Sequence, residues 1–282
     1  MNETGVVLEG GGMRGVYTGG VLEYWLEHGI KFPYLVGVSA GACNATSYIS
    51  GQPGRNKKVT IGLVHDKRYL SMRNLWKEKS LFGMNFIFDQ VPTSLIPFDF
   101  DTFYNSSQEL IIGTTDAHTG EAVFYRDIDL AEQTLKLVRA SSSLPFVAPP
   151  IHHGGRTLFD GGISAPIPVD QSIKDGNTRH IVVLTQPANY RKKPSRLGWL
   201  AKHFYSEYPG LVRAMEERAG LYNETLDRLA EMEREGSVII IRPTQDLQVG
   251  RMEKKVDKLE NLYELGYRDA EAAMDKLGAW LS

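Results

Sequence analysis

The 282-residue sequence predicts an α/β protein with three α/β/α layers, in which helices cover both faces of a mostly parallel central sheet. Short apolar runs alternate with amphipathic segments, a helical segment separates the first two runs, and no repeat or long linker divides the chain. A strand–helix–strand unit of this kind joins parallel strands. We therefore expect a single domain over residues 1–282, in which residues 1–185 carry the motifs and residues 186–282 form a mainly helical C-terminal part.

The first fifty residues predict a strand and a helix twice in succession. Residues 5–9 are an apolar run that ends in glycines, and residues 16–28 place apolar side chains at helical spacing, with Gly29 as the C-cap. A second apolar run at residues 34–38 precedes the small, helix-compatible residues 40–50. This pattern predicts two neighbouring parallel strands whose carboxyl ends lie side by side.

The later elements are spaced more widely. Apolar runs at residues 109–115 and 121–126 flank a five-residue loop that ends in glycine, which predicts a hairpin. Helices are predicted at residues 130–142, 211–235 and 256–281, and strands at 157–159, 180–185 and 238–241. Residues 81–88 are strongly apolar but show neither a helical nor a strand period.

The composition excludes several classes of function. The chain has 32 Lys and Arg against 34 Asp and Glu, and this balance argues against a nucleic-acid partner. Its one cysteine, Cys43, excludes an internal disulfide and a cysteine-built metal cage. The first residues lack the basic start of a secretory signal, and no run reaches the roughly 20 apolar residues that span a bilayer. We therefore expect a cytoplasmic location.

A candidate nucleophile stands at the end of the second predicted strand. Gly37-Val38-Ser39-Ala40-Gly41 fits the pattern G-x-S-x-G between an apolar strand and a helix. In this motif the serine occupies a sharp turn, and the flanking glycines let the backbone and helix pack closely. The alternative is a tight turn in which the serine only caps the helix.

Glycines crowd the loop after the first strand, which reads Gly10-Gly11-Gly12-Met13-Arg14-Gly15. Successive glycine amides at a helix N-terminus can bind an anionic oxygen, as the tetrahedral intermediate of acyl transfer requires. Gly10, Gly12 and Gly15 also match the dinucleotide fingerprint G-x-G-x-x-G. That interpretation needs an acidic residue at the end of the second strand, which the sequence lacks, and a nucleotide-binding protein is kept as an alternative.

A serine nucleophile needs a base, and Asp160-Gly161-Gly162 supplies one at a strand end. An aspartate before two glycines can also be a turn residue that caps its own backbone. Among the seven histidines, His152 and His153 precede Asp160 by a short loop, and His180 opens a strand. A Ser–His–Asp triad built on one of these three is therefore a second alternative.

Taken in order, the glycine loop, the Ser39 motif and Asp160-Gly161-Gly162 resemble the patatin-like phospholipases, a family of lipid acyl hydrolases. The segment Arg-Ala-Ser-Ser-Ser-Leu-Pro-Phe at residues 139–146 is similar to the one before the family's catalytic aspartate, and the resemblance covers residues 5–185. It implies that Ser39 is the nucleophile and Asp160 the general base, without a histidine, a metal or a cofactor. It implies an oxyanion hole and supporting turns at the following positions: Gly10, Gly11, Gly12, Met13, Arg14, Gly37, Gly41, Gly161 and Gly162.

The resemblance also implies a substrate, a lipid or another acyl ester that is cleaved through an acyl-serine intermediate. We expect Asp160 to be desolvated, with a raised pKa that makes it a better proton acceptor. The apolar residues 81–88, with Phe98, Phe100 and Phe103, are candidates for an acyl tunnel or lid, and plain core packing is the alternative.

A basic run in the C-terminal part is a candidate for peripheral contact with the inner membrane face, with a solvated loop as the alternative. It comprises Arg191, Lys192, Lys193, Arg196 and Lys202, near Trp199. A catalytically silent lipid-binding module with the same fold is the remaining alternative.

Overall fold

The computed structural model describes residues 3–126, 130–195 and 198–281. The strands are β1 (Thr4–Leu8), β2 (Tyr34–Val38), β3 (Glu109–Asp116), β4 (Ala122–Tyr125), β5 (Ile151–His153), β6 (Arg156–Asp160), β7 (Arg179–Val183) and β8 (Val238–Ile241). The helices are α1 (Val16–Glu27), α2 (Ala40–Ile49), α3 (Arg55–Thr60), α4 (Met72–Glu78), α5 (Phe100–Tyr104), α6 (Ala131–Ser141), α7 (Val169–Lys174), α8 (Gly198–Phe204), α9 (Pro209–Arg234), α10 (Val256–Ala272) and α11 (Met274–Leu281). A 3-10 turn at Gly12–Gly15 and a π-helix at Phe86–Leu95 complete the set.

The strands form one sheet in the order β5–β6–β3–β2–β1–β7–β8, with β4 paired to β3. The five strands from β3 to β8 in this order are parallel, whereas β4, β5 and β6 join antiparallel. Leu8 at the end of β1 pairs with Gly37 on one side and Val183 on the other. The loops that follow these strands therefore meet at one edge of the sheet.

Helices cover the sheet on both faces, because successive side chains of a strand point to opposite sides. Val6 and Leu8 of β1 belong to a core shared with α1, α2 and α10, whereas Val7 belongs to a second core shared with α9. This arrangement confirms the predicted three-layer fold with its mostly parallel sheet.

Helices α1 and α10 cross at very short distance through glycines. A Cβ on Gly20 would meet the backbone of Tyr263, and a Cβ on Gly266 would meet the backbone of Tyr17. A Cβ on Gly19 would lie 3.4 Å from the ring of Tyr263. The C-terminal part thus packs on the first helix, while β8 extends the sheet beside β7.

The structure departs from the sequence prediction in several places, among them the short helices α3, α4, α5, α7 and α8, which were not predicted. The predicted helix at residues 256–281 is two helices, α10 and α11, separated at Ala273. Strand β5 was not predicted, since three residues are too short to show a period. The apolar stretch at residues 81–88 lacks a period because it leads into the π-helix, whose wide turns include a bond from the Ile96 amide to the Val91 carbonyl. Within the described ranges, no helix is both long and apolar enough to cross a bilayer.

Candidate active site

Ser39 occupies a sharp turn between β2 and α2, as predicted. Its φ is 54° and its ψ −127°, a left-handed conformation that is strained for a residue with a side chain. A Cβ on Gly41 would fall 2.5 Å from the Leu8 carbonyl oxygen, and one on Gly37 would fall 2.8 Å from the Ala42 nitrogen. The two glycines therefore let the turn and the first residues of α2 press against the sheet.

Asp160 reaches Ser39 because β3 pairs with two strands in succession. Val38, the last residue of β2, pairs with Gly113, and Asp160, the last residue of β6, pairs with the next residue, Thr114. A Cβ on Gly161 would meet the Gly113 carbonyl and lie 2.8 Å from the Val38 side chain. The absence of a side chain at Gly161 is what brings the two strand ends together.

The carboxylate of Asp160 is buried and hydrogen-bonded. It accepts a bond of 2.7 Å from the Gly162 amide and interacts with the Ser39 hydroxyl. Burial raises the pKa of Asp160 above its ordinary value, while the charge of Arg218 and the bonds from Ser39 and Gly162 oppose this rise. The direction agrees with the expectation of a desolvated carboxylate.

The glycine loop lies directly against Ser39. A Cβ on Gly10 would lie 2.9 Å from the Cβ of Ser39, and Gly12 has a φ of +58° that favours glycine. Within the described ranges, the backbone amides of Gly10, Gly11 and Gly12 have no acceptor. Three amide donors of this loop are thus open beside the serine.

The Met13 amide is not a free donor, which corrects the expected oxyanion hole. It donates a hydrogen bond of 3.0 Å to the carbonyl of Arg251, in the segment before α10. Nothing in the local sequence of the loop signals this contact, because Arg251 lies far away along the chain. Arg14 lines the cavity beside Ser39.

Glu9 is a residue that the sequence analysis passed over. Its carboxylate is buried and accepts bonds from the Thr185 amide at 2.6 Å, the Thr185 hydroxyl at 3.0 Å and the Tyr222 hydroxyl at 3.0 Å. These bonds tie the start of the glycine loop to the end of β7 and to α9. The available signal in the sequence was an acidic residue at the end of an apolar strand, directly before the glycine loop.

The site opens into a cavity of about 630 Å³ that contains Ser39, Asp160 and the glycine loop. One part of its wall is apolar and includes Tyr69, Phe82, Met84, Ile87 and Phe88. The apolar segment at residues 81–88 thus contributes to the cavity, as predicted.

Phe98, Phe100 and Phe103 do not line this cavity, and their assignment to an acyl tunnel is wrong. The ring of Phe98 packs edge-on against Phe100 and tilted against Phe103, with centroids 4.8 and 5.6 Å apart. Phe98 and Phe103 belong to the core, and Phe100 packs against it.

No histidine of the described residues lines the cavity. His180 lies at the start of β7, at the opposite edge of the sheet from Ser39, and contacts the Ser172 hydroxyl. His152 and His153 lie on β5, against Thr157 and Tyr125. The Ser–His–Asp alternative therefore lacks a base within reach. In the described part of the chain, no three His, Cys, Asp or Glu side chains come together as a set of metal ligands.

The basic run at residues 191–202 does not form one exposed cationic surface. Arg191 pairs with Asp227 at 2.7 Å, and Lys202 pairs with Glu216 at 2.9 Å. Lys192 points inward, with its ammonium 4.4 Å from the centre of the Tyr222 ring. Arg196 lies outside the described residues.

Two family models match the sequence. The model described as patatin-like phospholipase matches residues 6–173, and that of a domain of unknown function, DUF6363, matches residues 208–282. The uncharacterized protein YjjU of Escherichia coli is 24% identical over 270 residues, which cover 93% of this chain and 74% of that protein.

One further relative and one solved structure are also similar to this chain over almost its whole length. Lysophospholipase NTE1 of Candida albicans is 24% identical over 310 residues, which cover 99% of this chain and 20% of that protein. This chain thus spans about a fifth of that relative's length. The crystal structure of VipD from Legionella pneumophila shares the fold, with a TM-score of 0.50 and 14% identity, over 98% of this chain and 67% of that one.

Proposed function

Because this chain belongs to the patatin-like phospholipase family, we propose that it is a lipid acyl hydrolase that works through a Ser39–Asp160 dyad. The observation that carries the proposal is the buried Asp160 carboxylate, which interacts with the hydroxyl of a serine held in a strained turn. The similarity to lysophospholipases of fungi supports a phospholipid or lysophospholipid as the substrate class.

The first half of the reaction acylates the serine. The Ser39 oxygen attacks the ester carbonyl carbon while Asp160 accepts the hydroxyl proton. The carbonyl oxygen becomes an oxyanion, and the open amides of Gly10, Gly11 and Gly12 supply donors for it. A donor of this kind contributes about 3–4 kcal/mol to the transition state. Collapse of the intermediate breaks the ester bond, and the alcohol leaves with the proton from Asp160.

The second half releases the fatty acid. Asp160 takes a proton from water, the hydroxide oxygen attacks the acyl carbon, and the proton returns to the Ser39 oxygen as the acyl–serine bond breaks. The raised pKa of Asp160 supports both steps, because a more basic carboxylate is a stronger proton acceptor. Too large a rise would protonate the base, and the charge of Arg218 opposes this.

The apolar part of the cavity is the proposed site for the acyl chain. Met84 and Phe88 are buried in the core and line the cavity that holds Ser39. An acyl chain against such a wall gains about 0.8 kcal/mol for each methylene removed from water.

We also propose peripheral membrane contact at the mouth of the cavity. The exposed ring of Phe204 packs edge-on against Phe146, which lines the cavity, and the exposed Met252 lines it as well. Trp199 on the same helix as Phe204 is also exposed. Exposed aromatic and apolar side chains around an opening are typical of surfaces that touch the membrane interface.

A serine-directed fluorophosphonate probe tests the proposed nucleophile, together with hydrolysis of p-nitrophenyl butyrate. We expect the wild type to be labelled and active, Ser39→Ala to lose both properties, and Asp160→Asn to lose most of each. Ser94→Ala, at an exposed serine outside the cavity, is the matched control and should behave as the wild type. Equal labelling of the wild type and Ser39→Ala would refute the proposal, and unlabelled wild type would favour the catalytically silent module.

A further inference from the structure

Five cationic side chains line the cavity that holds Ser39: Arg14, Lys192, Lys193, Arg218 and Arg251. They come from the glycine loop, the segment after β7, helix α9 and the segment before α10. Within the ranges that the structure describes, none of the five forms an ion pair with a carboxylate. In the reaction steps proposed above only the charge of Arg218 has a role, and none of the five side chains binds the substrate.

Two of these side chains each have a buried N–H donor without an acceptor. The Nε atoms of Arg14 and Arg218 are both buried and unpartnered among the described residues. The whole Arg14 side chain is buried in the cavity wall, with 9% of the residue exposed. Buried donors without partners are rare in proteins and mark a position where another group can bind.

Backbone contacts hold two of the cations in place. Asn223 of α9 accepts a bond of 2.9 Å from the Lys192 amide and donates one of 3.0 Å to its carbonyl. The Arg251 carbonyl accepts the bond from the Met13 amide. The cluster is thus built by tertiary contacts and does not depend on mobile surface side chains.

The cluster carries more positive than negative charge. The cavity contains five cations but only two carboxylates, Glu9 and Asp160. Both oxygens of Glu9 already accept bonds from neutral donors on Thr185 and Tyr222. Burial, together with the charges of Arg218 and Arg251, lowers the pKa of Lys192 to about 7. An anion in the cluster would relieve this repulsion.

The part of the cationic cluster that lies on α9 and the apolar part of the cavity reach Ser39 from opposite faces of the sheet. Phe88 and Met84 belong to the core on one face, whereas Tyr222 and α9 belong to the core on the other. An ester bound at Ser39 can therefore extend its acyl chain toward Phe88 and its alcohol part toward Arg218.

We propose that this cationic cluster binds the phosphate of the lipid, and that the preferred substrate is a monoacyl lipid ending in a phosphate monoester. The inference rests on the proposed hydrolase function for its substrate side. A phosphate monoester carries close to two negative charges, and the cavity holds more cations than carboxylates to receive them. Arg side chains suit this group, because their paired N–H donors match phosphate oxygens.

The same surroundings disfavour a choline headgroup. A quaternary ammonium carries a positive charge, which the cations of the cluster would repel. The Tyr222 ring is already covered by the Lys192 ammonium, and the Glu9 oxygens already accept bonds from neutral donors. The cluster therefore selects for the bare phosphate.

A binding measurement on Ser39→Ala protein tests the cluster without turnover. Calorimetry with hexanoylglycerol phosphate should give at least tenfold tighter binding than hexanoylglycerol. Lys192→Gln and Arg218→Gln should each weaken it at least tenfold, whereas Arg228→Gln, an exposed cation of the same helix paired with Asp170, should not. Equal affinity for the two lipids would overturn the proposal. Inorganic phosphate that binds as tightly as the lipid would also overturn it, in favour of a free-phosphate site.

Hydrolysis by the full chain separates this inference from the hydrolase itself. The wild type should cleave the phosphate lipid at least tenfold more efficiently than the matching phosphocholine lipid. Lys192→Gln should abolish that preference through KM, whereas Arg228→Gln, outside the cavity lining, should leave both the preference and p-nitrophenyl butyrate hydrolysis within twofold. A uniform loss on all esters would overturn the headgroup role. If no ester is cleaved, the hydrolase proposal fails, and the binding measurement still decides the phosphate site.

Discussion

The backbone amide of Ser39 donates a hydrogen bond of 2.8 Å to the hydroxyl of Ser141, the last residue of α6. The same hydroxyl donates a bond of 2.6 Å to the Gly113 carbonyl in β3. One buried side chain thus joins the strained turn to the strand that also positions Asp160. The hydroxyl holds Ser39 in place without touching the reacting atoms.

Replacing Ser141 with Ala should lower both stability and activity. The change leaves the Ser39 amide and the Gly113 carbonyl without partners, at a cost of about 1–3 kcal/mol. We expect a matching loss of unfolding free energy in urea and a fall in kcat of about tenfold, with little change in KM. Ser143→Ala is the control, since among the described residues its hydroxyl bonds only to the carbonyl of Arg139 in α6. Equal effects of the two changes would contradict the positioning role of Ser141.

The activity should fall on acidification at a pH above the ordinary pKa of aspartate. Asp160 must be ionised to accept the proton, and burial raises its pKa above 3.8. The acidic limb of kcat/KM for p-nitrophenyl butyrate should therefore lie above pH 4. Arg218→Gln removes a charge that opposes this rise, so the limb should move to higher pH. A limb at or below pH 4 in the wild type would contradict the role of Asp160.

Gly12→Ala should lower kcat by more than the strain of its positive φ alone would cause. A Cβ there would lie 2.7 Å from the Arg251 carbonyl, in addition to the strain of a φ of +58°. We expect a fall in kcat of about a hundredfold, since one displaced donor is worth ~3 kcal/mol. Gly154→Ala has a similar φ of +55° with open space around it, and it controls for the backbone strain. Similar kcat values in the two variants would argue against a catalytic loop.

The size of the cavity wall should set the preferred acyl chain length. Met84→Trp fills part of the cavity, so kcat/KM should fall about tenfold more for the dodecanoate ester than for the butyrate. Two lost methylene contacts at ~0.8 kcal/mol each account for this factor. Phe88→Ala enlarges the cavity and should shift the preference toward longer acyl chains. Unchanged preferences in both variants would place the acyl chain elsewhere.

The protein should lose stability in mild acid through His180. The residue is buried, and burial lowers its pKa from 6.5 to about 4. The unfolded chain then binds a proton that the folded chain does not, so the unfolding free energy falls as the pH drops from about 6.5 to about 4. His180→Gln should remove up to about 1.4 kcal/mol per pH unit from this slope. Parallel pH curves for the wild type and the variant would contradict the assignment.

Local sequence determined most of the secondary structure and two of the site's motifs. Periodic apolar positions predict β1, α1, β2 and α2, because burial of one face imposes a period on the chain. Glycines at residues 10–12 and around Ser39 mark tight backbone, a steric requirement that a short segment expresses by itself. The π-helix at Phe86–Leu95 was out of reach, because its turn matches neither period.

Only the tertiary structure decided which residues surround Ser39. Asp160 lies beside it because β3 pairs first with β2 and then with β6, and Arg218 and Arg251 reach it from the C-terminal part. The bond from Met13 to Arg251 and the pairing of Asn223 with Lys192 are contacts between distant segments. Such contacts follow from the packing of whole layers and leave no local period or spacing in the sequence.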